Sequence, residues 1–314
     1  MKLVEPQVEL WKQEPTLEGA WRQIARATRV CYQSKPREGE SDEAFVNRVI
    51  LKPATREDGS IDFDKCHGAM LEPGTIYLTI PRTSLVARIM HYMHNNYSRV
   101  LFGALFNDDN NDYITTNMRV IIENNWQDDL KFISAPTHHI KRTTFSVITD
   151  IGVTRELNRH RVNSIAEQST RYCTYSADKF GNEVTYVYNN FLINSMTYLN
   201  YGEFELGFDY LHKLCKDIAN NNESNITDKW TADDYYMFAL VAAEFAYLGL
   251  KKNNMPNDMA RQVLNLSTKS QAVYTAFDDD WQHFIKLRAD NVSGKVHPNM
   301  KIIADKIKEL FNNK

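Results

Sequence analysis

Arg159-His160-Arg161-Val162-Asn163-Ser164-Ile165-Ala166-Glu167-Gln168-Ser169-Thr170-Arg171-Tyr172 is the stretch on which the reading of this chain turns. Fourteen residues hold three arginines, a histidine, a glutamate and two serines. Guanidinium groups this close repel one another unless an anion offsets them. Their planar forks suit phosphates and carboxylates, and Ser169 adds a hydroxyl donor beside Arg171. Two readings fit. One is a solvated basic helix face. The other is a preorganised anion site with Glu167 built in as an acid-base or hydrogen-bonding group. A helix over residues 153–169 is expected to carry the stretch. Arg155, Arg159 and Asn163 then share one stripe, and Glu156, His160 and Ser164 the next.

The surrounding composition is that of a soluble globular protein: 314 residues, 43% hydrophobic, 25% charged. This length accommodates one elaborated domain or two. A net charge of −3 disfavours non-specific nucleic-acid binding through overall charge, although basic groups can cluster locally. Cys31, Cys66, Cys173 and Cys215 form no CxxC pair. They read as reduced thiols of a cytoplasmic protein rather than as a zinc ribbon or redox pair. The N-terminus lacks the apolar run of a signal peptide. The most apolar run, residues 237–250, contains Glu244 and is too short to span a bilayer. Walker and GxGxxG loops are missing, so a dinucleotide would bind without them. Cys66-His67, His91 with His94, and His138-His139 lack metal-ligand spacing; no metal is expected, and these histidines read as surface or structural.

Periodicity and turn residues predict strands over 8–11, 75–80, 142–149, 183–188 and 271–276. Helices are predicted over 16–27, 42–49, 83–97, 203–219, 232–251, 257–265 and 278–288, with a last one from Pro298 to about residue 311. Residues 114–122 suit strand or helix equally. Residues 52–64 and 107–112 read as loop and turn, and 220–227 as a polar linker. The mix indicates an α+β fold.

The string RHR-x2-S-x2-E-x-S-x-R-Y resembles the signature of the flavin-dependent thymidylate synthases, RHR-x7-S, with Arg161 and Ser169 at that spacing. Further blocks resemble the same family. Pro256-Asn257-Asp258-Met259-Ala260-Arg261 with Leu264 is similar to its P-x3-A-R-x-x-L segment. His283-Phe284-Ile285-Lys286-Leu287-Arg288 is similar to its (N/H)-F-x-x-L-R helix. Nearer the N-terminus, Ala27-Thr28-Arg29-Val30-Cys31-Tyr32 and the segment Cys66 to Gly74 resemble two more.

The resemblance implies one flavin-dependent thymidylate synthase-like domain over residues 1–314, with a central, mostly antiparallel sheet flanked by helices. Residues 81–139 would be an inserted segment, polar at its turn and exposed. The implied activity is reductive methylation of dUMP to dTMP. Methylenetetrahydrofolate would be the carbon donor, FADH2 the hydride source and NADPH its reductant. A homotetramer with shared active sites is implied. Arg288 would be catalytic, polarising the uracil. Glu156, Arg159, Glu167, Gln168, Ser169, Arg171, Arg261 and Arg288 would bind the nucleotide. Arg159, His160, Arg161, Glu167, His67, Cys31 and His283 would lie on the flavin side.

Several flavin-side positions depart from the family pattern. Ala69 stands where Ser or Thr is frequent, Pro73 for His, and Ala166 for Asn. Phe277-Asp278-Asp279 replaces Asn-Ala-Arg, and a carboxylate near a pyrophosphate weakens binding. Glu156 replaces Gln beside the nucleotide. These differences keep two other functions open. One is a related pyrimidine-nucleotide (hydroxy)methyltransferase. The other is a non-catalytic nucleotide- or RNA-binding relative using the arginines with Tyr172, Tyr175, Tyr186 and Tyr188; on the leading reading no nucleic acid and no membrane partner is expected.

Overall fold

The computed structural model describes residues 1–59, 61–82, 86–108, 110–176, 182–187, 232–292 and 294–314. In chain order, β1 (Lys2–Val4), β2 (Gln7–Trp11), α1 (Leu17–Tyr32) and α2 (Asp42–Val46) come first. Next are β3 (Thr75–Pro81), α3 (Val86–His94), β4 (Arg99–Phe102), β5 (Asn111–Asn117) and α4 (Met118–Glu123). Then come β6 (Arg142–Asp150), α5 (Ile151–Leu157), β7 (Ser164–Glu167) and β8 (Thr185–Val187). The remainder is α6 (Ala232–Lys252), α7 (Asn257–Ala260), β9 (Lys269–Phe277), α8 (Asp278–Arg288) and α9 (Pro298–Asn312). The helix and linker expected over 203–227 lie outside the described residues, as do Tyr188 and Cys215.

The α+β expectation holds. A four-stranded antiparallel sheet of order β2-β6-β9-β7 forms the centre. Strands β6 and β9 are rich in Thr, Val, Phe and Tyr, which fit a pleated surface buried on both sides. Facing pairs Phe145–Tyr274 and Val147–Ala272 point to one face. There they pack under α8 and α9 with Trp281, Phe284, Ile303 and Ile307. The opposite face, with Ala166 and Val273, is covered by α1 through Ala20, Ile24 and Ala27. Thr16 caps α1, its hydroxyl accepting from Gly19 N at 3.0 Å. A Cβ on Gly19 would meet Glu14 O at 2.1 Å, so this entry turn admits no side chain there.

A second antiparallel sheet, β3-β5-β4, stands beside the first. Residues 114–122 prove to be strand and then helix: β5 ends at Asn117, whose side chain caps α4 by accepting from Val120 N at 3.0 Å. The exposure expected of 81–139 is corrected here. Ile114, Met118, Val120 and Ile121 are buried in the same core as α1. β5 is buried at almost every position, so its sequence carries no alternation, and its buried threonine hydroxyls are satisfied internally, as in Ser98–Thr116 at 2.8 Å.

The largest correction concerns the arginine-rich stretch. The helix expected over 153–169 ends at Leu157, and residues 164–167 form β7 instead. β7 pairs with β9 from Ser164↔Thr275 to Glu167↔Ala272. Ser164 and Ala166 alternate inward, a period of two that was masked by the i, i+4 spacing of the charges. Ladder bonds and burial of Ala166 outweigh helix propensity. The polar stripes therefore stop after Glu156, and the residues beyond it are placed by a turn.

Candidate functional site

Arg288 is the last residue of α8, and it reaches back to the turn after α5. Its Nε donates to His160 Nε2 at 3.0 Å, and its Nη1 donates to Glu156 Oε2 at 3.2 Å. His160 stands edge-on to Phe284, with ring centroids 4.9 Å apart. Burial, then the charge of Arg288 and His283, lowers the His160 pKa to about 4. The ring is therefore neutral near pH 7. Because Nε2 accepts, its proton resides on Nδ1. Glu156 and His160 do come together, through Arg288 rather than along a helix stripe.

His160 and Arg288 border a cavity of about 370 Å³ whose lining also includes Arg159, Arg161, Asn163, Asp280 and His283. Arg159 and Arg161 are exposed, and among the described residues neither guanidinium has a hydrogen-bond or ion-pair partner. Four predicted residues of the flavin side, Arg159, His160, Arg161 and His283, thus share one cavity.

A second cavity, of about 590 Å³, lies along the other part of the stretch. Arg155, Glu167, Gln168, Ser169, Arg261 and Ser270 are among its lining residues. Glu167 accepts from Ser270 Oγ at 2.8 Å and from Asn158 Nδ2 at 3.3 Å. Asn158 Oδ1 in turn accepts from Tyr274 OH at 3.0 Å. Gln168 Oε1 accepts from Lys269 Nζ at 3.0 Å, and burial lowers the Lys269 pKa. Arg261 Nη1 donates to Thr170 Oγ1 at 3.0 Å. Arg261 also borders a neighbouring cavity of about 520 Å³ with Arg171. This cationic, hydroxyl-bearing surface suits an anion. The predicted nucleotide residues Glu167, Gln168, Ser169 and Arg261 are gathered here and Arg171 adjoins them, whereas Arg288 and Arg159 face the first cavity.

Cys31 and His67 form a third group at the end of α1. The Cys31 carbonyl accepts from Ser169 N at 2.9 Å, which docks α1 onto the arginine-rich stretch. Burial pushes the Cys31 thiol up to about 11, so it stays protonated. His67 Nδ1 hydrogen-bonds Tyr32 OH, and Tyr32 packs on Tyr172 with centroids 5.5 Å apart. Cys31, Cys66 and Cys173 are free thiols. His139 is structural, its Nε2 3.0 Å from Leu78 O.

Two of the departures have local explanations. Ala166 faces the α1 core rather than either cavity. Asp278 accepts from Thr143 Oγ1 and Lys314 Nζ, both at 2.6 Å. Sequence reasoning missed Asn158, Lys269 and Ser270, which orient Glu167 and Gln168. It also missed Arg142, a buried arginine that donates to Ser164 Oγ at 2.8 Å and to Glu72 O at 3.0 Å. The only sequence signal was position: Asn158 precedes RHR, Arg142 opens a predicted strand, and Lys269 and Ser270 lie just before another.

With this geometry in place, comparison with known proteins decides the family. Residues 104–314 match the family described as "Thymidylate synthase complementing protein". The chain belongs to that family. The matched region contains the arginine-rich stretch, Arg261 and Arg288, while Cys31 and His67 precede it. No curated protein matches. Among solved structures, the chain is similar to a UMP/dUMP methylase, PolB from Streptomyces cacaoi. The complex with 5-Br dUMP aligns at 16% identity and a TM-score of 0.39, covering 100% of this chain and 93% of that one. The complex with 5-Br UMP gives 15%, 0.41, 100% and 92%. Among the described residues no helix is long and apolar enough to cross a membrane.

Proposed function

We propose that this protein makes dTMP by reductive methylation of dUMP, with methylenetetrahydrofolate as carbon donor. Family membership supports the reading, and the observation that carries it is the fixing of Arg288 by His160 and Glu156 at the edge of the first cavity. Arg288 keeps Nη2 for a ligand. A guanidinium there stabilises negative charge developing on the uracil as C5 attacks the one-carbon unit, without losing its own proton. Arg261, with Ser169 and Arg171, holds the nucleotide phosphate. Glu167, oriented by Ser270 and Asn158, accepts a hydrogen bond from the nucleotide.

The first cavity fits a flavin in its donor set, because Arg159 and Arg161 are cations without protein partners among the described residues. Arg159, Arg161 and His283 would hold it; His160, occupied by Arg288, would act behind them. When bound, reduced FAD supplies the hydride, and NADPH restores it. Sites shared between subunits of a homotetramer, in a cytoplasmic protein of one domain, complete the reading.

Purified protein incubated with dUMP, methylenetetrahydrofolate, FAD and NADPH should yield dTMP, read by product mass. A product from UMP instead of dUMP would favour the second reading, a related pyrimidine methyltransferase. The Glu156 carboxylate on Arg288 supports that alternative, since it partly neutralises the group that activates the ring. No nucleotide product from either substrate would overturn both.

A further inference from the structure

Two successive residues of β9 hold the two residues where β7 ends. Ser270 Oγ donates to Glu167, and Lys269 Nζ donates to Gln168 Oε1 at 3.0 Å. The Gln168 backbone is pinned as well, its N donating to Gln271 O at 2.8 Å. An ammonium has three donors and no acceptor. It therefore decides which way the Gln168 amide is turned: the oxygen faces Lys269 and the NH2 group faces away. Gln168 keeps only 6% of its surface exposed, and it lines the second cavity. Its Nε2 has no acceptor among the described residues, yet it is not enclosed in the way that the unpaired Gln23 Nε2 is. Two N–H donors are thus left for whatever fills that cavity.

Charge says what they would meet. Lys269 is half-buried and has no carboxylate partner among the described residues. Asp150, opposite it in the β6–β9 ladder, is occupied by Val153 N and Asn299 Nδ2. A half-buried cation without a counter-ion is costly, and an anion nearby offsets that cost. The same cavity is lined by Arg155, Ser169 and Arg261. A cation on the amide oxygen also polarises the amide, which strengthens its N–H groups as donors to an anionic oxygen.

We propose that Lys269 and Gln168 together read the phosphate of the nucleotide, Gln168 Nε2 donating to a phosphate oxygen and Lys269 keeping the amide from turning its own oxygen there. Lys269 is in this sense a positioning residue. The inference deepens the thymidylate reading and takes its nucleotide from it. It adds to Arg261, Ser169 and Arg171 a contact that separates a nucleotide from the bare nucleoside.

The test measures dUMP and deoxyuridine binding to the full-length protein by calorimetry and reads the ratio of the two affinities. Gln168→Glu should cut that ratio by about 10- to 100-fold, since it removes a donor to a charged acceptor and sets a carboxylate beside the phosphate. Lys269→Met keeps the apolar stem, frees the amide to turn, and should cut the ratio by about fivefold or more. Lys269→Arg, which also only donates, should restore most of it. A merely structural Lys269 would weaken both ligands together in Lys269→Met; that result overturns the proposal, as does an unmoved ratio in Gln168→Glu. If Gln168→Glu does not fold, the two Lys269 variants decide on the same ratio. The two readings fail separately. Shifted ratios without dTMP formation sink the synthase reading alone. Formation of dTMP with unmoved ratios sinks this one alone.

Discussion

His160 Nε2 accepts a hydrogen bond from Arg288 Nε at 3.0 Å, so the histidine of RHR spends its lone pair on the guanidinium at the end of α8. The unfolded chain has no such constraint, and there the imidazole titrates near its ordinary 6.5 rather than about 4. Between those values the unfolded state binds one more proton than the folded state. Stability therefore rises with pH across that window and is flat above it. Solvent over the exposed part of the ring limits the effect to about 1–2 kcal/mol. Denaturant midpoints at pH 7 and pH 4.5 should diverge in the wild type and converge in His160→Gln. An equal pH-dependent loss in both would show that another group is responsible.

Arg288→Ala should reduce dTMP formation by about 10²- to 10³-fold, the scale set by removing one donor aimed at developing charge. The Glu156–Arg288 pair is partly exposed and should itself contribute less than about 1 kcal/mol to stability. Arg288→Lys should recover little, since an ammonium cannot bond His160 and a ligand in one plane. Turnover within threefold of wild type in Arg288→Ala, measured on folded protein, would remove Arg288 from the reaction.

Arg261→Ala should act on nucleotide binding. The loss of a charge-assisted contact to phosphate corresponds to about 10- to 100-fold in dUMP affinity. Deoxyuridine, which lacks the phosphate, should bind the variant and the wild type alike. A similar loss for deoxyuridine would mean that Arg261 supports the cavity wall through Thr170 rather than the ligand.

Arg142→Ala should cost about 3 kcal/mol or more, because it strands the Ser164 hydroxyl and the Glu72 carbonyl and opens a cavity. Arg142→Met keeps the apolar stem and isolates the polar part of that loss. Thermal unfolding of the pair reads both contributions. Wild-type stability in Arg142→Ala would mean that water replaces the guanidinium at no cost.

The elements most legible in sequence were those whose pattern follows from burial alone. Residues 278–288 and the strand around Val273 and Tyr274 came out within a few residues, since hydrophobic spacing and end signals agreed there. The arginine-rich stretch was legible as chemistry and misread as structure. Its composition pointed to an anion site, and the fold does set cations around two cavities. Its secondary structure depended on β9, more than a hundred residues away, whose ladder selects strand for Ser164–Glu167. Long-range pairing of this kind leaves no local period. The same limit hid Asn158, whose role exists only once Glu167 and Tyr274 converge on it.

Arg142 also bears on how this chain can be shortened. Its guanidinium bonds Glu72 and Thr75 on one side and Ser164 on the other, so the family-matched region beginning at residue 104 leans on residues that precede it. β5 likewise lies between β3 and β4, both of which start before that boundary. Trimming to the matched region would bare both edges of β5 and strip a buried cation of two of its three side-chain ties. The boundary that marks kinship is thus not a seam along which the protein can be cut, and an expression fragment begun there should be recovered as aggregate.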